Sequence, residues 1–392
     1  MSVITKKSKI SPIMSGSIKT VHGDIKVPFF MPDATRGFIK SLSNGDLEKL
    51  KMGPMVVNTY HLYSRPGIKK IKKAGGIHKF MNWNGPLLSD SGGFQVFSLI
   101  HQNPLMGTIT DEEVIFKSPI DGSKHILTPE KSIQIQFDLG VDMMVALDDC
   151  PPNDCKKKDL RKAVARTVFW AKRCAKEYDK QVENQKSKIK NYRRPLIFAV
   201  IQGGEDLELR KKCFEGLQEA APKNGWDGFG YGARPVDGQG NFLAEVLEYT
   251  ANLIPKNKIR FALGVGAPED IVRCVKMGWD MFDCVIPTRE GRHGRLFLRK
   301  RNFKSKISSS KQSPNQKFKI QNFYDTINIA NSKFASDFSP INKDSKLEEL
   351  RGYSKAYLHH LFKLKEPLGQ RLATLNNLEF YLDLMDILRK QH

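Results

Sequence analysis

Short apolar runs recur along the chain, and each is followed by a polar or glycine-rich cluster. Runs this continuously apolar are typical of strands in a parallel sheet that is buried on both faces. Stretches of helical composition, such as 158–178, 207–220 and 241–254, separate them. Eight strand-then-helix units predict an α/β fold, a (β/α)8 TIM barrel with reactive groups at the carboxyl ends of the strands; a doubly wound open sheet is the alternative. The eight runs are residues 28–35, 54–61, 86–93, 143–149, 196–204, 228–233, 260–266 and 281–289.

Two segments interrupt this alternation. Residues 106–127 hold β-rich arms around Asp121-Gly122, a turn pair that predicts a β-hairpin insertion. From Gly291 to Tyr324 the chain carries ten lysines and arginines and no acidic residue. We therefore expect a catalytic barrel domain over 1–295, a basic insertion loop over 296–322 and a C-terminal helical subdomain over 323–392 that packs on the barrel.

Composition narrows the class of protein. The 392 residues include 64 Lys+Arg against 42 Asp+Glu, a net charge of +22, with 40% hydrophobic and 27% charged residues. The hydrophobic fraction is that of a folded globular chain, and no apolar run approaches the roughly 18 residues of a membrane helix. Six cysteines without a CxxC pair and no secretory signal favour the cytoplasm and no membrane partner. The positive surplus favours nucleic acid as partner, although a lysine-rich compositional bias is the alternative.

Polar residues at the predicted strand ends carry the candidate chemistry. Three carboxylates on separate strands would converge at one barrel mouth, where one can act as a nucleophile while another exchanges protons at a glycosidic bond. An aspartate and a glutamine there offer acceptor and donor groups for a purine-like base, and paired glycines admit a flat ligand. For any one of these residues, capping of the following helix is the commoner explanation, but their combination favours a site. They are Asp90 and Ser91, Gly92-Gly93, Asp148 and Asp149, Gln202, Gly203-Gly204, Gly232 and Asp283.

Longer blocks of sequence extend these strand-end clusters. They are NTYHLYSRPG (58–67), SDSGGFQVFSL (89–99), MMVALDDC (143–150), LGVGAPEDI (263–271), FDCVIPTREGRHG (282–294) and YLHHLFKLKEPLG (357–369). Together these blocks resemble one enzyme family, tRNA-guanine transglycosylase. The resemblance runs from about residue 14 to 388, with no comparable match for residues 299–318.

The resemblance implies a reaction and the residues that perform it. The wobble guanine of a tRNA with a GUN anticodon would be exchanged for a 7-deazaguanine base, in queuosine biosynthesis, without a redox cofactor. Asp283 would attack the ribose C1′ and form a covalent intermediate, and Asp90 would be the proton acceptor and donor. The base would be bound by Ser91, Gly92, Gly93, Phe94, Asp148, Gln202 and Gly232, with Phe94 stacking on its ring.

The same resemblance implies two segments that bind the anticodon loop, and a homodimer. The RNA-binding segments are GVGAPED, with Gly264, Val265, Gly266, Ala267, Pro268, Glu269 and Asp270, and TREGR, with Thr288, Arg289, Glu290, Gly291 and Arg292.

The chain departs from the family pattern at a structural zinc site. Ser345, Leu347 and Leu350 stand where most relatives have cysteines, and Asn376 stands where they have a histidine. Leucines cannot replace thiolate ligands. We therefore expect no zinc and no other metal or cofactor, with a helical turn around Leu347 and Leu350 packing in its place.

Two further departures concern the barrel mouth. The loop GFGYGARPVDGQ (228–239) contains Arg234 and Pro235 where bacterial relatives have a GGLAVGEGQ-like loop, so the choice of incoming base is open; Cys150 favours 7-aminomethyl-7-deazaguanine (preQ1) over queuine. PDATRG (32–37) replaces the more usual Pro-Val-Gly-Thr. The alternatives are a queuine-inserting enzyme, a transglycosylase acting on DNA and a non-catalytic RNA-binding subunit. The intact pair Asp90 and Asp283 weighs against the last of these.

Overall fold

The computed structural model describes residues 13–14, 16–152, 154–308 and 322–390; the other residues, which include 309–321 of the basic stretch, lie outside this description. The strands of the described residues are β1 (Ile13–Met14), β2 (Ser17–Thr20), β3 (Gly23–Lys26), β4 (Phe29–Pro32), β5 (Met55–Val57), β6 (Leu87–Ser89), β7 (Gly107–Ile109), β8 (Val114–Lys117), β9 (Lys124–Leu127), β10 (Met143–Val145), β11 (Leu196–Ile201), β12 (Gly228–Tyr231), β13 (Ile259–Ala262), β14 (Met281–Cys284), β15 (Arg295–Arg299) and β16 (Tyr324–Asn328). Their helices are α1 (Asn44–Lys49), α2 (Thr59–Ser64), α3 (Ile68–Lys73), α4 (Ile77–Met81), α5 (Gly93–Gln102), α6 (Pro129–Leu139), α7 (Lys157–Lys186), α8 (Leu207–Glu219), α9 (Ala244–Leu253), α10 (Pro268–Lys276), α11 (Ile286–Arg292), α12 (Phe303–Ser308), α13 (Glu348–Gly352), α14 (Lys355–Lys363) and α15 (Pro367–Arg389).

Eight parallel strands form one closed barrel, in the order β4-β14-β13-β12-β11-β10-β6-β5. The ring closes because Asp33 bridges Val56 and the N–H of Ala34 donates to the Val56 carbonyl at 2.8 Å. Each of the eight apolar runs overlaps one of these strands. The (β/α)8 prediction is therefore confirmed, and the open-sheet alternative is wrong.

Alternate residues of the barrel strands point to opposite sides. The barrel interior is a separate apolar cluster, which includes Met31 of β4, Val56 of β5, Leu88 of β6, Val200 of β11 and Met281 of β14. Their neighbours along each strand belong to the larger core between the sheet and the helices. Because side chains alternate with a period of two, the residue two positions after each interior residue faces the barrel mouth.

The amino-terminal sheet β1-β2-β3 closes the opposite end of the barrel. Ile18 and Ile25 of the β2–β3 hairpin belong to the interior cluster. His22, at the tip of this hairpin, and His78 of α4 stack with ring centroids 3.6 Å apart, and both contact the fully buried carboxylate of Asp142. These contacts fasten the hairpin to the barrel floor.

The insertion after α5 contains three strands rather than the predicted hairpin. The predicted turn at Asp121-Gly122 connects β8 to β9, but β7 pairs with β8 as a further antiparallel strand. The extra strand follows the 3-10 turn Pro104–Met106 and is short and half-exposed, so its apolar pattern is weak.

The predicted boundaries around the basic insertion need correction. Residues 296–299 are not part of a loop, because they belong to β15, which pairs with β16 at the start of the expected helical subdomain. Residues 303–308 form α12. Leu296 and Phe297 are buried against α15, which also packs on α11 and β4, so the core runs without a break from barrel to C-terminus. In the described ranges no helix is both long enough and apolar enough to cross a bilayer.

Candidate active site

The mouth of the barrel collects most of the polar residues that sequence reasoning selected. Five of its strands carry a polar side chain two positions after an interior residue, which directs that side chain into the mouth. On β12 the small residue Gly232 takes the corresponding place after Gly228 and Gly230. In order around the barrel the polar residues are Asp283, Asp33, Asn58, Asp90 and Gln202.

Asp90 is held by donors from two directions. Its Oδ1 accepts hydrogen bonds from the N–H groups of Thr59 and Gly92, both at 3.0 Å. Its Oδ2 accepts a 2.5 Å hydrogen bond from the side-chain amide of Asn58. The carboxylate is therefore fixed at the start of α2 and α5, as a group that exchanges protons with a bound base must be.

Asp283 lies near the end of β14, between the neighbouring strands β4 and β13. Its Oδ1 accepts a 3.0 Å hydrogen bond from the N–H of Gly264, which follows β13 with φ +72°. A side chain at Gly264 would be strained in this left-handed conformation, so glycine suits the turn that delivers the donor. Asp283 is half-buried and so remains accessible from the mouth.

The two carboxyl groups titrate far above their ordinary range. Burial raises the pKa of Asp90 to about 7, and the charges of Asp283 and Asp33 add to this rise. Burial raises the pKa of Asp283 to about 6, with Asp33 again contributing. A group with a pKa near neutrality can both give and take a proton, while the lower value of Asp283 leaves it ionised more often, as a nucleophile requires.

Asp148 and Gln202 form a pair at the ends of β10 and β11, the two strands that follow the strand of Asp90 around the barrel. The Gln202 amide nitrogen donates to Oδ2 of Asp148 at 2.7 Å. Burial raises the pKa of Asp148 to about 6. Oε1 of Gln202 is buried and has no hydrogen-bond partner within the described chain, so it is an acceptor still open to a donor. Asp149 is not part of this surface, because it turns away and pairs with Arg166 at 2.5 Å.

Gly232 lies directly against Gln202. A Cβ at this position would meet the Gln202 side-chain carbon Cδ at 2.5 Å, so only glycine leaves the amide in place. The next residue, Ala233, has φ +81°, a left-handed conformation that is strained for alanine. A cavity of about 190 Å³ opens beside Gln202 and Ala233, between the loops that follow β10, β11 and β12.

The SDSGG segment forms the start of α5. Gly92 has φ +78°, and a Cβ on it would meet the Tyr60 backbone nitrogen at 3.0 Å. Gly93 leaves no room for a side chain against Leu147. Ser91 is buried. Phe94 is 54% exposed, so the ring of a ligand can reach the face of the Phe94 ring. Of the predicted base-binding residues, Ser91, Gly92, Gly93 and Phe94 thus lie in or beside the first turn of α5, directly after the strand end of Asp90.

Sequence reasoning missed three residues that build this mouth. Asn58 stands out in the sequence only as the first residue of the NTYHLYSRPG block, and in the structure it also caps α2. Asp33 was noted only within a departure from the family pattern. Arg210 of α8 is fully buried and donates to the carbonyls of Gly204 at 2.7 Å, Ile201 at 3.1 Å and Gly232 at 3.0 Å. Its only signal in the sequence is an arginine within a helical segment.

The predicted RNA-binding segments lie beside Asp283 but are only partly accessible. Val265, Gly266, Pro268, Thr288 and Gly291 are buried, so these residues shape the segments from within. Glu269 accepts a 2.6 Å hydrogen bond from Tyr324, and Asp270 pairs with Arg273 at 2.8 Å. The residues that reach the surface are Gly264, Ala267, Glu269, Asp270, Arg289, Glu290 and Arg292.

The four positions aligned with a zinc site do not suit a metal. Leu347 and Leu350 are buried in the core, and Asn376 donates to the Phe297 carbonyl at 3.0 Å. Ser345 donates to Glu379 at 2.5 Å. Leu350 lies on α13, as the expected packing turn requires. Among the described residues, the side chains that could together hold a metal ion are His22, His78 and Asp142, whose ligand atoms lie within 4.8 Å of one another. This group lies at the barrel floor, far in sequence from the four positions aligned with the zinc site.

Comparison with known proteins agrees with the sequence resemblance. A family model described as queuine tRNA-ribosyltransferase matches residues 14–391. A protein of that name from Halothermothrix orenii is 40% identical over 374 residues, which span 95% of this chain and 88% of the relative. A second, from Caldanaerobacter subterraneus, is 38% identical over 387 residues, covering 99% of this chain and 92% of the relative. A third, from Staphylococcus aureus, is 37% identical over 385 residues, covering 98% and 90%.

Proposed function

The chain belongs to the queuine tRNA-ribosyltransferase family, and from this premise we propose that it is a tRNA-guanine transglycosylase that exchanges the wobble guanine of GUN-anticodon tRNAs for a 7-deazaguanine, preQ1 in preference to queuine. One observation supports the chemistry above all. Asp90 and Asp283 enter the same barrel mouth from two strands, each with its own backbone donors and with a pKa of about 7 and about 6.

The exchange proceeds in two displacements at the ribose C1′. In the first, an oxygen of ionised Asp283 forms a bond to C1′ while the bond from C1′ to N9 of guanine breaks, and guanine leaves with a proton from Asp90. In the second, N9 of the incoming base attacks C1′, its proton passes to Asp90, and the Asp283 carboxylate is released. Atoms and charges balance without a redox cofactor. The covalent intermediate keeps the ribose bound to Asp283 until a second base, and not water, attacks C1′.

The segments that follow β6, β10 and β11 recognise the base. The Asp148 carboxylate and the unpartnered Oε1 of Gln202 accept hydrogen bonds from N–H groups on the base edge, while Phe94 stacks on the ring. The target guanine has to leave the anticodon stack to reach this pocket. The exposed guanidinium of Arg289 and the half-buried one of Arg292 stand beside the nucleophile and hold the neighbouring phosphates.

We also propose that this chain carries no structural zinc. The side chains at Ser345, Leu347, Leu350 and Asn376 form a hydrogen-bonded and apolar cluster that offers no thiolate. Elemental analysis of purified protein should find far less than one zinc per chain. About one zinc per chain, retained by a Ser345→Ala variant that disrupts the cluster, would show that a metal is held elsewhere. We further propose a homodimer, which sedimentation of the full chain would test.

Exchange of labelled guanine into a GUN-anticodon tRNA tests the central proposal. The wild type should incorporate label, and Asp283→Asn should not, although it folds. Denaturing electrophoresis of enzyme mixed with tRNA should trap a covalent complex with the wild type alone. A DNA oligonucleotide of the same sequence serves as the matched substrate, and labelling of DNA instead of tRNA would favour the DNA-acting alternative. Competition between preQ1 and queuine identifies the incoming base.

A further inference from the structure

Asp33 occupies a place in the mouth between the two reacting carboxylates. Its strand β4 lies next to β14, where Met31 pairs with Asp283, and next to β5, where Asp33 itself bridges Val56. Because Phe29 and Met31 face the barrel interior, alternation directs Asp33 inward at the mouth. It therefore lies one strand from Asp283 and, with β5 and Asn58 in between, two strands from Asp90.

The Asp33 carboxylate is held in one orientation. Its Oδ1 accepts a 2.9 Å hydrogen bond from the N–H of Thr35 and a second, shorter one from the Thr35 hydroxyl. In the part of the chain that the structure describes, Oδ2 accepts no hydrogen bond from the protein. The side chain is only half-buried, so this oxygen can meet a ligand that enters the mouth.

The charge of Asp33 acts on the groups around it. It contributes to the raised pKa of both Asp90 and Asp283. Burial lowers the pKa of Arg292, and the negative charge of Asp33 opposes that effect. Asp33 thus lies within electrostatic reach of both reacting carboxylates and of one cation of the TREGR segment.

We infer that Asp33 is a third carboxylate of the reaction site, which stabilises positive charge at the ribose C1′ while the glycosidic bond is broken and remade. The inference rests on the proposed function. An oxocarbenium-like ribose carries positive charge that is absent from the bound substrate, so a fixed negative group near it lowers the barrier. Asp33 forms no bond and transfers no proton. This chain has the carboxylate where the family pattern has valine, so the variant Asp33→Val recreates the usual side chain.

The test compares wild type, Asp33→Asn, Asp33→Val and the control Asp24→Asn, whose exposed carboxylate lies at the opposite end of the barrel. Guanine exchange is measured from pH 5 to 9. Both Asp33 variants should lower kcat about tenfold with KM for tRNA changed by less than about twofold. They should also move the pH profile of kcat/KM to lower pH by about half a unit, because the pKa of Asp90 and Asp283 falls. Asp24→Asn should match the wild type.

Two outcomes distinguish a failure of the role of Asp33 from a failure of the proposed function. A wild type that exchanges guanine together with an Asp33→Asn profile that superimposes on it would overturn the role of Asp33 alone. A wild type without exchange would overturn the proposed function, and the inference with it. Thermal melting of each variant checks that it is folded, and Asp33→Val, which needs no hydrogen-bond partner, provides a folded comparison if Asp33→Asn is unstable.

Discussion

The side-chain amide of Gln202 donates a 2.7 Å hydrogen bond to Oδ2 of Asp148, between the strand ends of β11 and β10. This bond fixes which way the amide faces and leaves its Oε1 as a buried acceptor without a partner in the described chain. Two acceptors from different strands are therefore held side by side in the proposed base pocket.

Asp148→Asn should weaken binding of the base more than binding of the tRNA. The variant loses a charge-assisted hydrogen bond worth about 1.5–3 kcal/mol, which corresponds to a kcat/KM for guanine lowered by about 10- to 100-fold. KM for tRNA should stay within about twofold. Because the pKa of Asp148 is about 6, base affinity of the wild type should also fall as the pH drops below 6. A defect confined to tRNA binding would contradict the assignment.

Gly232→Ala should abolish base recognition while leaving the fold intact. The added methyl would meet the Gln202 Cδ at 2.5 Å, so the amide must move and its bond to Asp148 must break. Gly238→Ala, in the same loop, is the matched control, because its Cβ would meet no heavy atom within 4 Å. We expect guanine exchange to fall at least about tenfold in the first variant and to stay unchanged in the second, with equal melting temperatures.

The barrel was predictable from sequence because its strands are apolar on both faces. Each apolar run ends at a polar cluster, so strand number and the polar strand ends follow from one pattern. The strand-end positions of Asp90, Gln202 and Asp283 follow from this argument, since each of the three comes two residues after an interior residue. The short strand β7 could not be predicted from this pattern, because a strand of three half-exposed residues has no clear apolar pattern.

The apolar pattern could not predict residues whose contacts form only in the folded chain. Arg210 reaches the carbonyls of two strand ends from a helix, and no local pattern tells a buried arginine from a surface one. Asn58 looks like an ordinary helix cap because it is one, and its amide also binds Asp90. The strand β15 was assigned to a basic loop because Arg295 and Arg299 conceal the buried pair Leu296 and Phe297 between them.

Arg210→Met should loosen the rim of the pocket and destabilise the fold. The guanidinium is fully buried, and its removal leaves the carbonyls of Gly204 and Gly232 without this donor, while the Ile201 carbonyl keeps the Gly232 N–H at 3.0 Å. A buried acceptor left without a donor costs about 1–3 kcal/mol. We therefore expect the free energy of unfolding to fall by roughly 3 kcal/mol. KM for the base should rise as well. Arg161→Met, on the exposed face of α7, is the control and should be neutral in urea denaturation.

Asp283→Asn should be more stable than the wild type, but only at higher pH. Burial and the charge of Asp33 raise the pKa of Asp283 to about 6, so the folded state favours the protonated form. Such a group gives stability below its unfolded pKa of about 4, and that stability is lost as the pH rises through 6. The melting temperature of the variant should exceed that of the wild type by about 2 °C at pH 8 and match it near pH 4. An equal difference at both pH values would argue against this origin.

Asp142→Asn should release the amino-terminal hairpin from the barrel floor. Burial alone would raise the pKa of Asp142, but hydrogen bonds from His78 and the Leu87 N–H, with His22 nearby, outweigh it and lower the pKa to about 2. The carboxylate therefore gives stability that is present above its unfolded pKa of about 4 and lost as the pH falls toward 2. A shift of this size corresponds to about 2–3 kcal/mol at pH 7.

Urea denaturation at pH 7 should show that loss for Asp142→Asn, and hydrogen exchange should quicken in β2 and β3. The matched control is Asp138→Asn, which breaks only the exposed ion pair with Lys72 and should cost less than about 1 kcal/mol. The gap between Asp142→Asn and wild type should close between pH 4 and pH 2, because both then carry a neutral group. A hairpin whose exchange is unchanged in Asp142→Asn would mean that Ile18 and Ile25 alone hold it in place.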